Sequence, residues 1–190
     1  MSRSHLEQIH ERIKLTRPKQ AEHDFLIYTD GSGREQDGWG GAAAIVQRNR
    51  PFLLTSRVLA QNHVGVQEME LQGLLLGLGA CLDIYGRNKS NIKQLEAVRP
   101  HVWWVTDREN LALNLWVNPD TGTHYYKRRE PYHLWRTLSF YEELFQITPV
   151  FTHRAKIHYQ HKADKLAGFG RSLMKHERTK FMRDNPDIPE

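Results

Sequence analysis

The chain contains a single cysteine, Cys81, set in an apolar stretch. One cysteine excludes a disulfide framework within the chain and any cysteine-built metal centre, and it suits a reducing cytoplasm. Long apolar runs are also missing. The longest, around Leu74 to Ala80, is short and glycine-rich, so the sequence predicts no membrane span. The opening stretch MSRSHLEQIHERIKL carries charges throughout and has no apolar core, which argues against a secretory leader. Internal repeats and low-complexity blocks are absent too.

What is present suits a folded domain. The 190 residues are 39% hydrophobic and 26% charged, enough for one core of ordinary size with an extension or two. The formal net charge of +5 fits a polyanionic partner, and equally an ordinary basic surface. Residues 1–24 read as a charged N-terminal extension, in which Leu6, Ile9 and Ile13 recur at helical spacing ahead of Pro18. That extension is expected to dock on the domain or to serve as a contact for another protein. Residues 25–175 read as the domain proper and 176–190 as a tail.

Within the domain the period of the apolar residues changes. Phe25–Thr29, Ala42–Val46 and Phe52–Ala60 read as three strands of an antiparallel meander, with Asp30-Gly31-Ser32-Gly33 and Asn49-Arg50-Pro51 as turns. Met69, Leu71, Leu74, Leu75, Leu78 and Leu82 then recur at helical spacing over 67–85. A polar connection leads to a fourth strand, Val102–Thr106. Further helices are expected over 109–117, from Pro131 through Leu144, and over 162–181. A fifth strand spans Ile147–Thr152, and a polar, basic loop covers 153–161. The fold class is α/β, a mixed sheet flanked by helices.

Four carboxylates stand at informative places in this order. Asp30 follows the first strand and Asp107 the fourth, so parallel pairing of those strands would bring both to one sheet edge. Glu70 lies near the start of the first long helix and Asp164 near the start of the last. Singly, each has an ordinary use: a turn former or cap for the aspartates, a solvated helix position for Glu70. Together they would repel one another unless divalent cations neutralised them. All-oxygen donors suit Mg²⁺ or Mn²⁺, and two such ions support phosphodiester hydrolysis. Glu68 is the alternative to Glu70.

These residues sit in motifs. Tyr28-Thr29-Asp30-Gly31-Ser32 followed by Gly38-Trp39-Gly40-Gly41-Ala42 strongly resembles the opening hairpin of ribonuclease H. Met69-Glu70-Leu71, Val105-Thr106-Asp107 and Ala163-Asp164-Lys165-Leu166-Ala167 resemble the segments carrying that family's second, third and fourth carboxylates, in the same order over about 25–173. The resemblance implies a five-stranded mixed sheet of order 3-2-1-4-5 with the first strand central. It implies two Mg²⁺ ions, or Mn²⁺, held by Asp30, Glu70, Asp107 and Asp164. The implied activity is cutting of the RNA strand of RNA–DNA hybrids, leaving 5′-phosphate and 3′-hydroxyl ends. A monomer is expected, with the N-terminal extension as the segment that would otherwise hold a partner or form a dimer.

The same resemblance makes His153 the first choice for a mobile, proton-handling histidine, with His158 and His161 behind it. Tyr125 to Arg129, with Trp116 and Trp135 nearby, falls where bacterial relatives carry a basic, tryptophan-containing substrate handle. Lys127, Arg128, Arg129 and Trp116 are therefore expected nucleic-acid contacts, and Lys156 extends the basic surface. Gln67 is expected to hydrogen-bond in the minor groove. Departures from the family pattern are Gly65-Val66-Gln67 before the second carboxylate, Glu109 after the third and Gln160 in the last loop. Two other functions fit the same residues: a related nuclease for branched DNA, single-stranded DNA or structured RNA, and a binding module without activity.

Overall fold

The computed structural model describes residues 24–34, 39–48, 53–62, 65–86, 89–108, 111, 117–118, 123–124, 132–152 and 158–184. Three strands come first: β1 (Phe25–Arg34), β2 (Trp39–Arg48) and β3 (Leu53–Asn62). Helices α1 (Val66–Tyr85) and α2 (Lys89–Val98) lead to β4 (His101–Thr106). A two-residue ribbon, β5 (Val117–Asn118) with β6 (Thr123–His124), precedes α3 (Tyr132–Leu144), β7 (Gln146–Phe151) and α4 (His158–Asp184).

The main sheet has the order β3-β2-β1-β4-β7, which is 3-2-1-4-5 among its own strands, as expected. β1 pairs antiparallel with β2 and parallel with β4. The parallel pairs β1–β4 and β4–β7 each need a crossover, and α1 with α2 supply the first. Pro149, which cannot donate a ladder hydrogen bond, sits in β7 at the sheet edge.

Both sheet faces are covered, which is why β1 and β4 read as continuous apolar runs. On one face Phe25, Ile27, Val102 and Trp104 meet Leu74 and Leu78 of α1 and Leu138 of α3. On the other Leu26, Tyr28, Trp103 and Val105 meet Tyr159, Ala163 and Leu166 of α4.

The structure changes several boundaries. Asp30-Gly31-Ser32-Gly33 is not a turn: β1 continues through Arg34, with Asp30 opposite Ala43 and Ser32 opposite Gly41. Gly31 suits the strand there because α1 crosses it at that point, where an added β-carbon would overlap the Met69 and Glu70 backbone. The polar connection after Gly86 contains α2. Its apolar positions are few, but Leu95 is buried and Ile92 packs on the core three residues earlier, one helical turn apart. Of the helix expected over 109–117, residues 109–110 and 112–116 lie outside the described residues, and Val117, a β-branched residue, pairs with His124 in the ribbon instead. Of that stretch, Leu111 is helical and buried. The last helix starts at His158 rather than Lys162, because Tyr159 packs against Tyr28 and Gln160 bonds to β1. None of the described helices is long and apolar enough to cross a membrane.

Candidate active site

The parallel register sets the first half of the site. Tyr28 is level with Val105, the last β1–β4 pair, so two steps further along both chains Asp30 stands beside Asp107. Side-chain alternation puts Asp30 on the same face as Leu26 and Tyr28, and Asp107 on the same face as Trp103 and Val105. This is the face that α4 covers. Beneath the pair, Trp104 Nε1 donates to Thr29 Oγ1 at 2.8 Å in a buried bond that ties β4 to β1. Gln160 Nε2 donates to the Thr29 carbonyl at 2.6 Å and ties α4 to the same point.

Glu70 arrives from the opposite face. The first turns of α1 cross β1 at Gly31, where an added β-carbon would overlap the backbone of Met69 and Glu70. The missing side chain lets the helix descend onto the strand. Gly73 and Gly77, one turn apart on α1, continue the close approach over Thr29 and Ile27. Each glycine weakens the isolated helix by about 1 kcal/mol, and burial of Leu71, Leu74 and Leu78 outweighs that.

Asp30, Glu70 and Asp107 each offer a carboxylate oxygen, and these oxygens lie within 4.8 Å of one another. Asp30 and Glu70 are fully buried and Asp107 is half-buried. Burial, reinforced by the charges of Asp30 and Asp107, pushes the Glu70 carboxyl up to about 8. Arg108 opposes the shift: its Nε donates to Glu70 Oε1 at 3.1 Å. The two observations are compatible, because Oε1 accepts from the guanidinium in either protonation state. Oε2 has no hydrogen-bond partner among the described residues and is the atom left for the proton. A buried, unpartnered carboxylate oxygen facing two further carboxylates fits a hard divalent cation, which would replace proton and repulsion together.

No protein-family model and no curated protein matches the sequence. Solved structures do. The N-terminal RNase H domain of Rv2228c from Mycobacterium tuberculosis, solved as a fusion with maltose-binding protein, aligns with a TM-score of 0.58 over 82% of this chain and 99% of that one, at 17% identity. The fold is that of ribonuclease H. LC11-RNase H1, isolated from compost and solved in complex with an RNA/DNA hybrid, aligns with a TM-score of 0.57 at 17% identity, over 79% of this chain and 98% of that one. The protease-reverse transcriptase of prototype foamy virus aligns with a TM-score of 0.54 at 16% identity, over 83% of this chain and 22% of the longer viral one.

Within this ribonuclease H fold the structure brings together three of the four expected carboxylates. Asp164 is half-buried on α4, one turn beyond Gln160, and does not join the other three at the same spacing. Glu68 is half-buried and outside the group, so Glu70 is the carboxylate that α1 delivers. Gln67 is exposed three residues before Glu70, on the same side of the helix. Thr152, whose N–H bonds to the Thr106 carbonyl at 2.9 Å, carries the chain alongside Asp107. His153, which follows it, lies outside the described residues, as do Trp116, Lys127, Arg128, Arg129 and Lys156. His158 and His161 are exposed in the first turn of α4. Arg108 lies outside the residues expected from the sequence, and its place directly after Asp107 is the one local sign of it.

Proposed function

We propose that this protein is a metal-dependent endonuclease that hydrolyses the RNA strand of RNA–DNA hybrids, leaving 5′-phosphate and 3′-hydroxyl ends. The observation that carries this reading is the trio of Asp30, Glu70 and Asp107, two of them fully buried, just past the point where the parallel pairing of β1 and β4 ends, in a ribonuclease H fold. In this reading the trio and Asp164 hold two Mg²⁺ ions, or Mn²⁺ in their place. Bound there, the metal supplies a water activated for attack and stabilisation of the departing oxygen.

The chain's own residues do the rest. Gln67, exposed three residues before Glu70, reaches the hybrid's minor groove. Lys127, Arg128, Arg129, Trp116 and Lys156 contact the phosphate backbone, and His153 moves a proton at the leaving oxygen. The protein works as a cytoplasmic monomer, with residues 1–24 as a contact segment for another protein.

Gly65 and Val66, at the entry to α1, offer no side-chain hydrogen bond to a 2′-hydroxyl, and this favours a second reading, a nuclease for branched DNA or structured RNA. Labelled RNA–DNA hybrid, double-stranded RNA, double-stranded DNA and a four-way DNA junction, each incubated with Mg²⁺ or Mn²⁺, separate the two. Cleavage confined to the hybrid's RNA strand, and lost in Asp107→Asn, is the expected result. Cutting of the junction would keep the chemistry and move the substrate. Salt-sensitive binding of hybrid without any metal-dependent cutting would refute both.

A further inference from the structure

We propose that Arg108 is the resident cation of the carboxylate trio: it holds Glu70 in the metal-free protein and competes with divalent metal for the site. The inference rests on reading Asp30, Glu70 and Asp107 as metal ligands. It adds a residue that limits how readily they load.

The geometry supports competition in three ways. The guanidinium is already at the ligand, with Nε 3.1 Å from Glu70 Oε1. Glu70 is wholly buried, so solvent cannot screen its carboxylate, and a neighbouring positive charge weighs more there than at a surface. A divalent ion approaching the trio therefore meets a full positive charge in place before it. Arg108 is also free to leave. Its side chain is 49% exposed, whereas its main chain is fixed by an N–H bond to Thr106 Oγ1 at 3.1 Å. The backbone stays docked beside Asp107 and the side chain alone swings outward.

An arginine anchored by its main chain beside such a cluster has two opposed effects. Without metal it offsets the mutual repulsion of three acids drawn within 4.8 Å of each other. With metal it becomes a like charge that must withdraw. The cost of withdrawal is charged against metal binding, so the site loads at a higher metal concentration than the same three carboxylates would require alone.

The test is Mn²⁺ binding to the full chain without nucleic acid, followed by the electron paramagnetic resonance signal of free Mn²⁺ or by calorimetry, beside thermal unfolding with and without Mn²⁺. Arg108→Ala and Arg108→Gln are expected to bind Mn²⁺ roughly three- to tenfold more tightly than the parent chain. Both are also expected to melt earlier without metal, and to regain more on adding it. The glutamine variant keeps most of the side chain's length, so the answer survives if the alanine variant fails to fold. Unchanged or weaker Mn²⁺ affinity in the variants, with the parent chain binding normally, would overturn the role of Arg108. Glu70→Gln in the same titration guards the premise. If it binds Mn²⁺ as the parent does, the carboxylate reading itself falls.

Discussion

Gly31 on β1 lies against the Glu70 backbone on α1 so closely that a β-carbon at position 31 would overlap the Glu70 amide nitrogen. The atoms in the way are backbone, which cannot swing aside as a side-chain tip can. Gly31→Ala is therefore expected to push α1 off the strand, costing about 1–3 kcal/mol of stability. Because the helix carries Glu70, Mn²⁺ affinity should fall in the same variant. Urea unfolding and a metal titration on one preparation check both, and intact affinity in a destabilised protein would refute the link.

Removing one acid should separate function from stability. Asp107→Asn is expected to lower hydrolysis by more than about a hundredfold, since even groups that only orient metal ligands cost 10–100-fold when lost. The same substitution takes a negative charge out of a crowded trio. Melting of the metal-free variant should thus occur no earlier than that of the parent. Steady-state cleavage of the hybrid and a thermal melt in chelator are the two measurements.

Burial and the charges of Asp30 and Asp107 push the Glu70 carboxyl up to about 8 in the folded metal-free protein, from an ordinary 4.5. A raised carboxyl means the folded state holds a proton that the unfolded state has released. Its contribution to stability is fully present below pH 4.5 and is lost as pH rises through 8. Metal-free protein should therefore lose stability across that window, and Glu70→Gln should flatten the profile. Mg²⁺ affinity should move the other way, strengthening toward pH 8, because the ion displaces the proton. Chemical denaturation in chelator at several pH values tests the first statement, and calorimetry the second.

Gln160 ties the start of α4 to the strand carrying Asp30. Gln160→Leu keeps the volume and removes the bond from Nε2 to the buried Thr29 carbonyl, an expected loss of about 1–3 kcal/mol. Hydrogen exchange at the first turns of α4 should rise more than exchange in α1. An unchanged pattern would show that the apolar contacts of Tyr159 and Ala163 suffice to hold the helix.

The sequence made the main sheet legible where burial writes a strong pattern. The runs of β1 and β4, and the recurring leucines of α1, announce themselves because both sheet faces are covered and α1 is buried on most of its surface. The order of four motifs led to the strand order and to Asp30, Glu70 and Asp107. Local reading failed where distant contacts decide. Asp30 to Gly33 look like a turn until α1 is known to cross the strand at Gly31. The first turn of α4 looks like a loop until Tyr159 and Gln160 meet Tyr28 and Thr29. α2 shows too few apolar positions for a period to emerge, although Leu95 is wholly buried. Arg108 follows Asp107 directly, but its partner Glu70 is 38 residues away and only the fold brings the two together.

The glycine seams on the two sheet faces have a consequence for divergence. α1 meets β1 at Gly31, and α4 meets β2 at Gly41, where a β-carbon would overlap the backbone of Ala167 and Arg171. The height of each helix above the sheet is thus set by main-chain contact, not by the bulk of intervening side chains. Exchanges among leucine, isoleucine and valine elsewhere in the core alter volume without resetting those heights. A scaffold gauged in this way can exchange many side chains without moving its helices, which fits an architecture shared at 17% identity.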